Sequence, residues 1–169
     1  TIVASLASVS LLAHGTALAQ AVSDDVGADE QSGGVNVIVV TAQKRAQNLQ
    51  DVPVSVSAFD TQMIADSGFT NSLSIGDQVP NLEIKTFGGV PNIFIRGVGN
   101  NDFNSSSIGP ISVYRDDVVV ASTGSQIFSL FDLERIEVVR GPQGTLFGKN
   151  ATGGAIQFFS KLPDDRFEG

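Results

Sequence analysis

The chain has 169 residues, with 10 Lys and Arg against 18 Asp and Glu, a formal charge of −8, one His and no Cys. This acidic balance argues against a nucleic-acid partner, which binds through a basic patch, and the lack of thiols excludes disulfides and thiolate metal sites. The single His14 sits in an uncharged apolar leader, so the remainder has no Ser-His or Cys-His nucleophile pair and no His ligand for zinc.

Ile2 to Leu12 is uncharged and rich in Ala, Val, Leu and Ser, and Ala17-Leu18-Ala19 follows as a small-x-small cleavage site. The run is too short to span a bilayer, which takes about 20 residues. With Thr1 in place of Met, residues 1–19 read as the later part of a secretory signal peptide, and the mature chain is expected to begin near Gln20. All net charge falls in that mature part. Residues 20–36 are rich in Ala, Ser, Asp, Gly and Gln and read as a flexible arm.

Val37-Ile38-Val39-Val40-Thr41-Ala42 is an apolar, β-branched patch ahead of Gln43-Lys44-Arg45. Its residues favour a strand. Exposed, it is a template for adding a strand to another protein's sheet edge; otherwise it is the first strand of the domain.

The domain proper begins near Val52. Val52, Val54, Val56 and Ala58 alternate with Pro53, Ser55 and Ser57, the pattern of an edge strand with one buried face. Asp60 caps a short helix holding Met63 and Ile64, with Gly68 as terminator. Ser74 and Asp77 predict a capping box for a second short helix, which Pro80 ends. Leu82-Glu83-Ile84 and Ile93-Phe94-Ile95 predict strands around a turn at Gly88-Gly89. Ile111–Arg115 and Val118–Ala121 predict a hairpin with Asp116-Asp117 in the turn. A type I′ turn favours Asp-Gly, because both central residues take positive φ; Asp tolerates that region better than most residues. Phe128–Leu133 predicts a short helical turn leading into a strand over Glu134–Arg140. There Ile136 and Val138 alternate with Glu137 and Val139, which suits one well-buried face. Five glycines lie between Gly141 and Gly154, a run that permits positive φ and close packing. Ala155–Phe159 predicts the last strand.

Nucleotide motifs fail on inspection. A Walker A loop ending at Gly148-Lys149 would need Gly where Gln143 stands and a hydroxyl where Asn150 stands. Gly97-Val98-Gly99 begins like a dinucleotide fingerprint, but Asp102 occupies the third glycine position. Asp116-Asp117 are adjacent, so their side chains diverge on extended backbone and form no catalytic pair.

The ordered string from Leu130 to Ile156, with Arg135-Ile136-Glu137-Val138-Val139-Arg140-Gly141-Pro142-Gln143-Gly144 at its centre, closely resembles the end of the plug domain of TonB-dependent outer-membrane receptors. Val52-Pro53-Val54-Ser55-Val56, Ile95-Arg96-Gly97 and Val113-Tyr114-Arg115-Asp116 match the same family, in which Asp-Gly is usual where Asp117 stands. The likeness runs from about Val37 to Lys161. It implies an α+β plug domain over residues 50–162, with a small mixed sheet, short helices and long loops. Residues 163–169 would lead into a barrel of roughly 22 strands, a size that needs a plugged lumen.

The resemblance carries further expectations. Residues 37–45 resemble the TonB box region, so Val37, Ile38, Val39, Val40, Thr41 and Ala42 would pair with the periplasmic domain of TonB. Arg96 and Arg140 match the arginines that contact glutamates on the barrel wall. Solute contacts would come from apical loops, with Phe87, Asn92, Asn100, Asn101, Asp102, Phe103, Asn104, Ser125 and Gln126 as candidates. Amides, a carboxylate and an aromatic ring suit a sugar or a chelated-metal complex. The expected protein is a non-enzymatic plug of an outer-membrane transporter, with no cofactor, no resident metal and no nucleic-acid partner, gating energy-coupled uptake of a scarce solute such as a siderophore or other metal complex. A stand-alone secreted plug-like solute-binding module is the alternative.

Overall fold

Strands β9, Leu133–Arg140, and β10, Gly154–Ser160, make the middle of the molecule. The computed structural model describes residues 37–102, 104 and 106–163. The expected leader over 1–19, the arm over 20–36, Phe103 and residues 164–169 of the expected barrel lead lie outside the described residues. β9 pairs antiparallel with β10 and with β3, Ser55–Asp60. β10 also pairs in parallel with β7, Ile111–Arg115, which turns back into β8, Val118–Val119. The mixed sheet therefore has the order β3-β9-β10-β7-β8, with the predicted edge strand at its edge.

A second, antiparallel sheet holds β4, Leu82–Phe87, β5, Val90–Ile95, and β6, Val98–Gly99. A third pairing joins β1, Val39–Val40, to β2, Gln47–Asn48. Two short helices, α1 at Thr61–Ser67 and α2 at Gly144–Phe147, complete an α+β mixed-sheet fold. Among the described residues no helix is long and apolar enough to cross a membrane.

Local chemistry explains several boundaries. Asp60 Oδ1 accepts from Met63 N at 2.8 Å and caps α1, and the helix ends at Gly68, φ +66°. Such a cap contributes about 1 kcal/mol. Gly88 and Gly89, both at positive φ, make the tight β4–β5 turn, as a type I′ hairpin requires. Asp116 and Asp117 take the same conformation, φ +48° and +64°, without glycine. Asp116 is held there by its carboxylate, whose Oδ1 accepts from Ser160 N at 2.7 Å and Oδ2 from Ser160 Oγ at 2.9 Å.

Three expectations are corrected. The capping box at Ser74 and Asp77 does not form. Ser74–Asp77 is a 3-10 turn, capped from upstream by Asn71 Oδ1, which accepts from Leu73 N and Ser74 N at 2.9 and 3.2 Å. Asn at that place competes for the first free amides as well as Ser would.

Phe128–Leu133 is not helical: Ser129 bridges to Asn71 and the chain bends at Asp132, φ +54°, while the helical turn lies upstream at Thr123–Gln126. Ser72 N donates to Phe128 O and Leu130 N to Thr70 O, and the Phe128 ring meets the Phe158 edge at 4.8 Å. Pairing with a distant segment outweighs local propensity here.

β9 is buried on both faces, not one. Ile136 and Val138 enter the main core with Phe59, Ile75, Val113 and Phe158. On the opposite face Val139 meets Ala58, Val40 and Ala42. Each fully buried aliphatic side chain contributes about 1.5–3 kcal/mol. The second face is covered because residues 38–56 fold back over it.

Candidate functional site

The apolar patch at residues 37–42 is docked on the second face of the large sheet. Strand alternation turns Val40 and Ala42 inward, both 0% exposed, while Val37 and Val39 face out and Ile38 and Thr41 are half-buried. Val39 pairs with Asn48 and Val40 with Gln47, and Leu49 N donates to Ile38 O at 2.9 Å. Val39–Val40 is thus a short strand packed on the sheet, the second of the two readings its residues allow. Burying Val40 and Ala42 is the reason, since both would otherwise face water.

Beneath it lies Glu137, a residue the sequence reading left unassigned. Its side chain is fully buried. Across the sheet it stands in one row with Ala58 and Gln157, and Gln157 in turn with Tyr114. Glu137 Oε1 accepts from Thr41 N at 2.8 Å, from Thr41 Oγ1 at 3.2 Å and from Arg135 Nε at 2.9 Å. Gln157 Nε2 reaches Oε2 at 3.5 Å. Arg135 also donates to Thr41 Oγ1 and lies 3.8 Å over the Phe159 ring. A lone acid inside the apolar run Ile136–Val139 was the available signal. It pointed outward only so long as the second face was taken as wet.

A second fastening follows the patch. Lys44, φ +58°, turns the chain, and its Nζ lies 2.6 Å from Asp117 Oδ1 and 5.1 Å from the Phe147 ring centroid. Both charged groups are well exposed, so this pair contributes at most about 1 kcal/mol.

Arg96 and Arg140 come together from different sheets. Arg96 sits at φ +52° in the β5–β6 turn, and Arg140 ends β9. Arg96 Nη2 and Arg140 Nε both donate to Ser55 Oγ, at 3.1 and 3.0 Å, and Arg140 Nη1 donates to Pro80 O at 3.2 Å. Among the described residues neither makes an ion pair. Burial first, and the Arg96 charge second, hold the Arg140 guanidinium below its ordinary pKa. The two adjacent guanidinium groups thus share one hydroxyl and meet no carboxylate among the described residues.

The apical candidates divide into scaffold and rim. Asn92 is buried, and with its nitrogen turned to the loop its amide donates to Asn100 O at 2.6 Å and Asp102 O at 3.2 Å. Gln126 Nε2 donates to Val120 O at 3.2 Å. Asn92, Asn100, Asp102 and Gln126 border one cavity of about 20 Å³, room for a single water and no solute. Asn101, Asp102, Asn104 and Ser125 are exposed, and so is Phe87 at the end of β4. The loop shapes itself: Asn100, Asp102 and Asn104 each accept from the backbone N–H two residues on, at 3.0–3.1 Å. Among the described residues no group of three or more His, Cys, Asp or Glu gathers to hold a metal ion.

Known proteins resemble this chain in sequence and fold. The model of the TonB-dependent Receptor Plug Domain family matches residues 48–155. The pesticin receptor of Yersinia pestis is 33% identical over 138 residues, which cover 79% of this chain and 20% of that protein. The iron-regulated outer membrane virulence protein of Vibrio cholerae is 30% identical over 137 residues, covering 78% and 21%. The solved ferric yersiniabactin uptake receptor FyuA from Yersinia pestis is similar with a TM-score of 0.61 and 31% identity, over 67% of this chain and 18% of that chain. The pyoverdine outer membrane receptor FpvA from Pseudomonas aeruginosa has a TM-score of 0.63 at 20% identity, over 78% and 19%, a likeness of fold alone. The chain spans about one fifth of the length of the curated relatives it matches.

Proposed function

Because the chain belongs to the TonB-dependent receptor plug domain family, we propose that it is the plug of an energy-coupled outer-membrane transporter, set inside its barrel with the N-terminal arm in the periplasm. Its relatives are named as receptors and transporters, which favours transport over catalysis. The carrying observation is the unneutralised pair Arg96 and Arg140. Arg140 is half-buried and Arg96 is exposed beside it, so the pair suits carboxylates brought from outside the described residues, and in this reading glutamates of a surrounding barrel wall supply them.

In this reading residues 37–42 pair as a strand with the periplasmic domain of TonB. They first leave β2, exchanging one set of backbone hydrogen bonds for another. Pulling on the arm adds external work that shifts the plug between conformations. The solute, a siderophore or other metal complex, is met by the exposed rim of Phe87, Asn101, Asp102, Asn104 and Ser125, with Phe103 in the same loop. Asn92, Asn100 and Gln126 support that rim from behind. Residues 50–162 are the plug and 37–45 the coupling segment.

Deleting Val37–Ala42 in the intact receptor should abolish uptake of labelled solute while equilibrium binding persists. Undiminished uptake after that deletion overturns the coupling role.

A further inference from the structure

We propose that Glu137 is the positioning residue that keeps residues 37–42 docked and masks their pairing edge. This rests on the reading of that segment as the TonB-coupling strand. A strand added to the segment must take backbone N–H groups from it. The Thr41 N–H is already spent on Glu137 Oε1 at 2.8 Å, and the Thr41 hydroxyl on the same oxygen at 3.2 Å. These are charge-assisted bonds, roughly twice as strong as neutral ones. They form with a carboxylate that is fully out of water.

The carboxylate is not placed there merely to neutralise Arg135. Arg135 Nη1 also pairs with Glu134 Oε1 at 2.5 Å, and its guanidinium stacks over Phe159. Glu137 instead uses one oxygen to gather Thr41 and Arg135 together, with Gln157 on the other. The docked state also carries a built-in weakness. Gln47 Oε1, on the strand that pairs with the segment, is buried without a hydrogen-bond partner among the described residues. Undocking returns that acceptor to water, which lowers the cost of release. One strong buried clasp against one unsatisfied acceptor makes a segment that is held at rest and freed by a modest pull. The exposed Lys44–Asp117 pair is too solvated to serve as the main clasp.

The test uses trypsin on the intact receptor in detergent micelles. Cleavage after Lys44 and Arg45 needs the tight turn to open, and with fast reclosing its rate tracks the open fraction. Glu137→Gln keeps the shape and removes the charge; it should raise this rate about tenfold. Thr41→Val, which retains the N–H, should raise it about threefold, and Asp117→Ala at most about fivefold. Cleavage at Arg135, Arg140 and Lys149 should not change. An unchanged rate for Glu137→Gln, an effect no larger than that of Asp117→Ala, or equal loosening at Arg135 and Arg140 in both Glu137→Gln and Thr41→Val overturns the proposal. Purified TonB periplasmic domain is then added. Greater capture by Glu137→Gln supports the clasp and the coupling reading together. Faster cleavage without greater capture leaves the clasp standing and removes the reading of residues 37–42 as the TonB strand.

Discussion

The docked segment at residues 37–48 and the apical loop at residues 100–109 are both surface stretches laced with polar contacts, and they are held in opposite ways. The loop is shaped by hydrogen bonds between residues two apart, Asn100 to Asp102 to Asn104 to Ser106. The segment is held by contacts 96 residues apart, from Thr41 to Glu137, and by two side chains sealed against the sheet. Short-range bonds shape the loop, while the Asn92 amide and Thr123 Oγ1 tie it to the body and leave an exposed rim that can adjust to a ligand. Long-range bonds to a rigid strand make an anchor that is either closed or open, because release exposes Val40, Ala42 and the Glu137 carboxylate at once. The proposed function gives the loop to recognition and the segment to coupling, two tasks that need these different behaviours.

The change that should erase the contrast is Gly154→Ala. Gly154 opens β10 at φ +146°, and a Cβ there would meet Val139 O at 2.3 Å. Both regions hang from strands paired to β10, so both should loosen. A loss of about 3 kcal/mol or more is expected, read as a lowered urea midpoint of the intact protein. An unaltered midpoint would mean that β10 shifts freely, against the packing described.

Asn92→Ala should sharpen the contrast instead. It removes the buried amide that donates to Asn100 O and Asp102 O, at a cost of about 1–2 kcal/mol. Amide exchange should quicken across residues 100–109 and stay unchanged across residues 37–48. Equal acceleration in both would show that the two regions open as one unit.

The smallest effect is expected from Asp117→Gly. Glycine relieves the left-handed strain at φ +64° by about 1 kcal/mol, and losing the exposed Lys44 pair costs up to about the same. The thermal midpoint should barely move. A large drop would place real holding power on Lys44, and with it a second anchor for the segment.

Much of the fold was legible because its signals are short. Asp60 with Gly68 brackets α1 within one element, the Gly88-Gly89 pair marks the β4–β5 turn, and the period-two pattern over residues 52–58 marks an edge strand that forms over Ser55–Asp60. The arginine pair was legible as two residues, but not as neighbours sharing Ser55, since they come from different sheets. Asn92 was legible as polar, but not as buried. Glu137 was passed over because an acid in an alternating strand reads as solvent-facing until the opposite face is known to be covered.

By itself, then, the ordered motif string determined the family, while local signals determined the cap and end of α1 and the turn between β4 and β5. Those properties depend on interactions within about four residues. Only the tertiary structure decided that residues 37–42 lie against the sheet, that residues 128–130 pair with residues 70–72 and that Glu137 is enclosed. Each of those depends on which distant backbone arrives opposite, and strand register, not local preference, sets that partner.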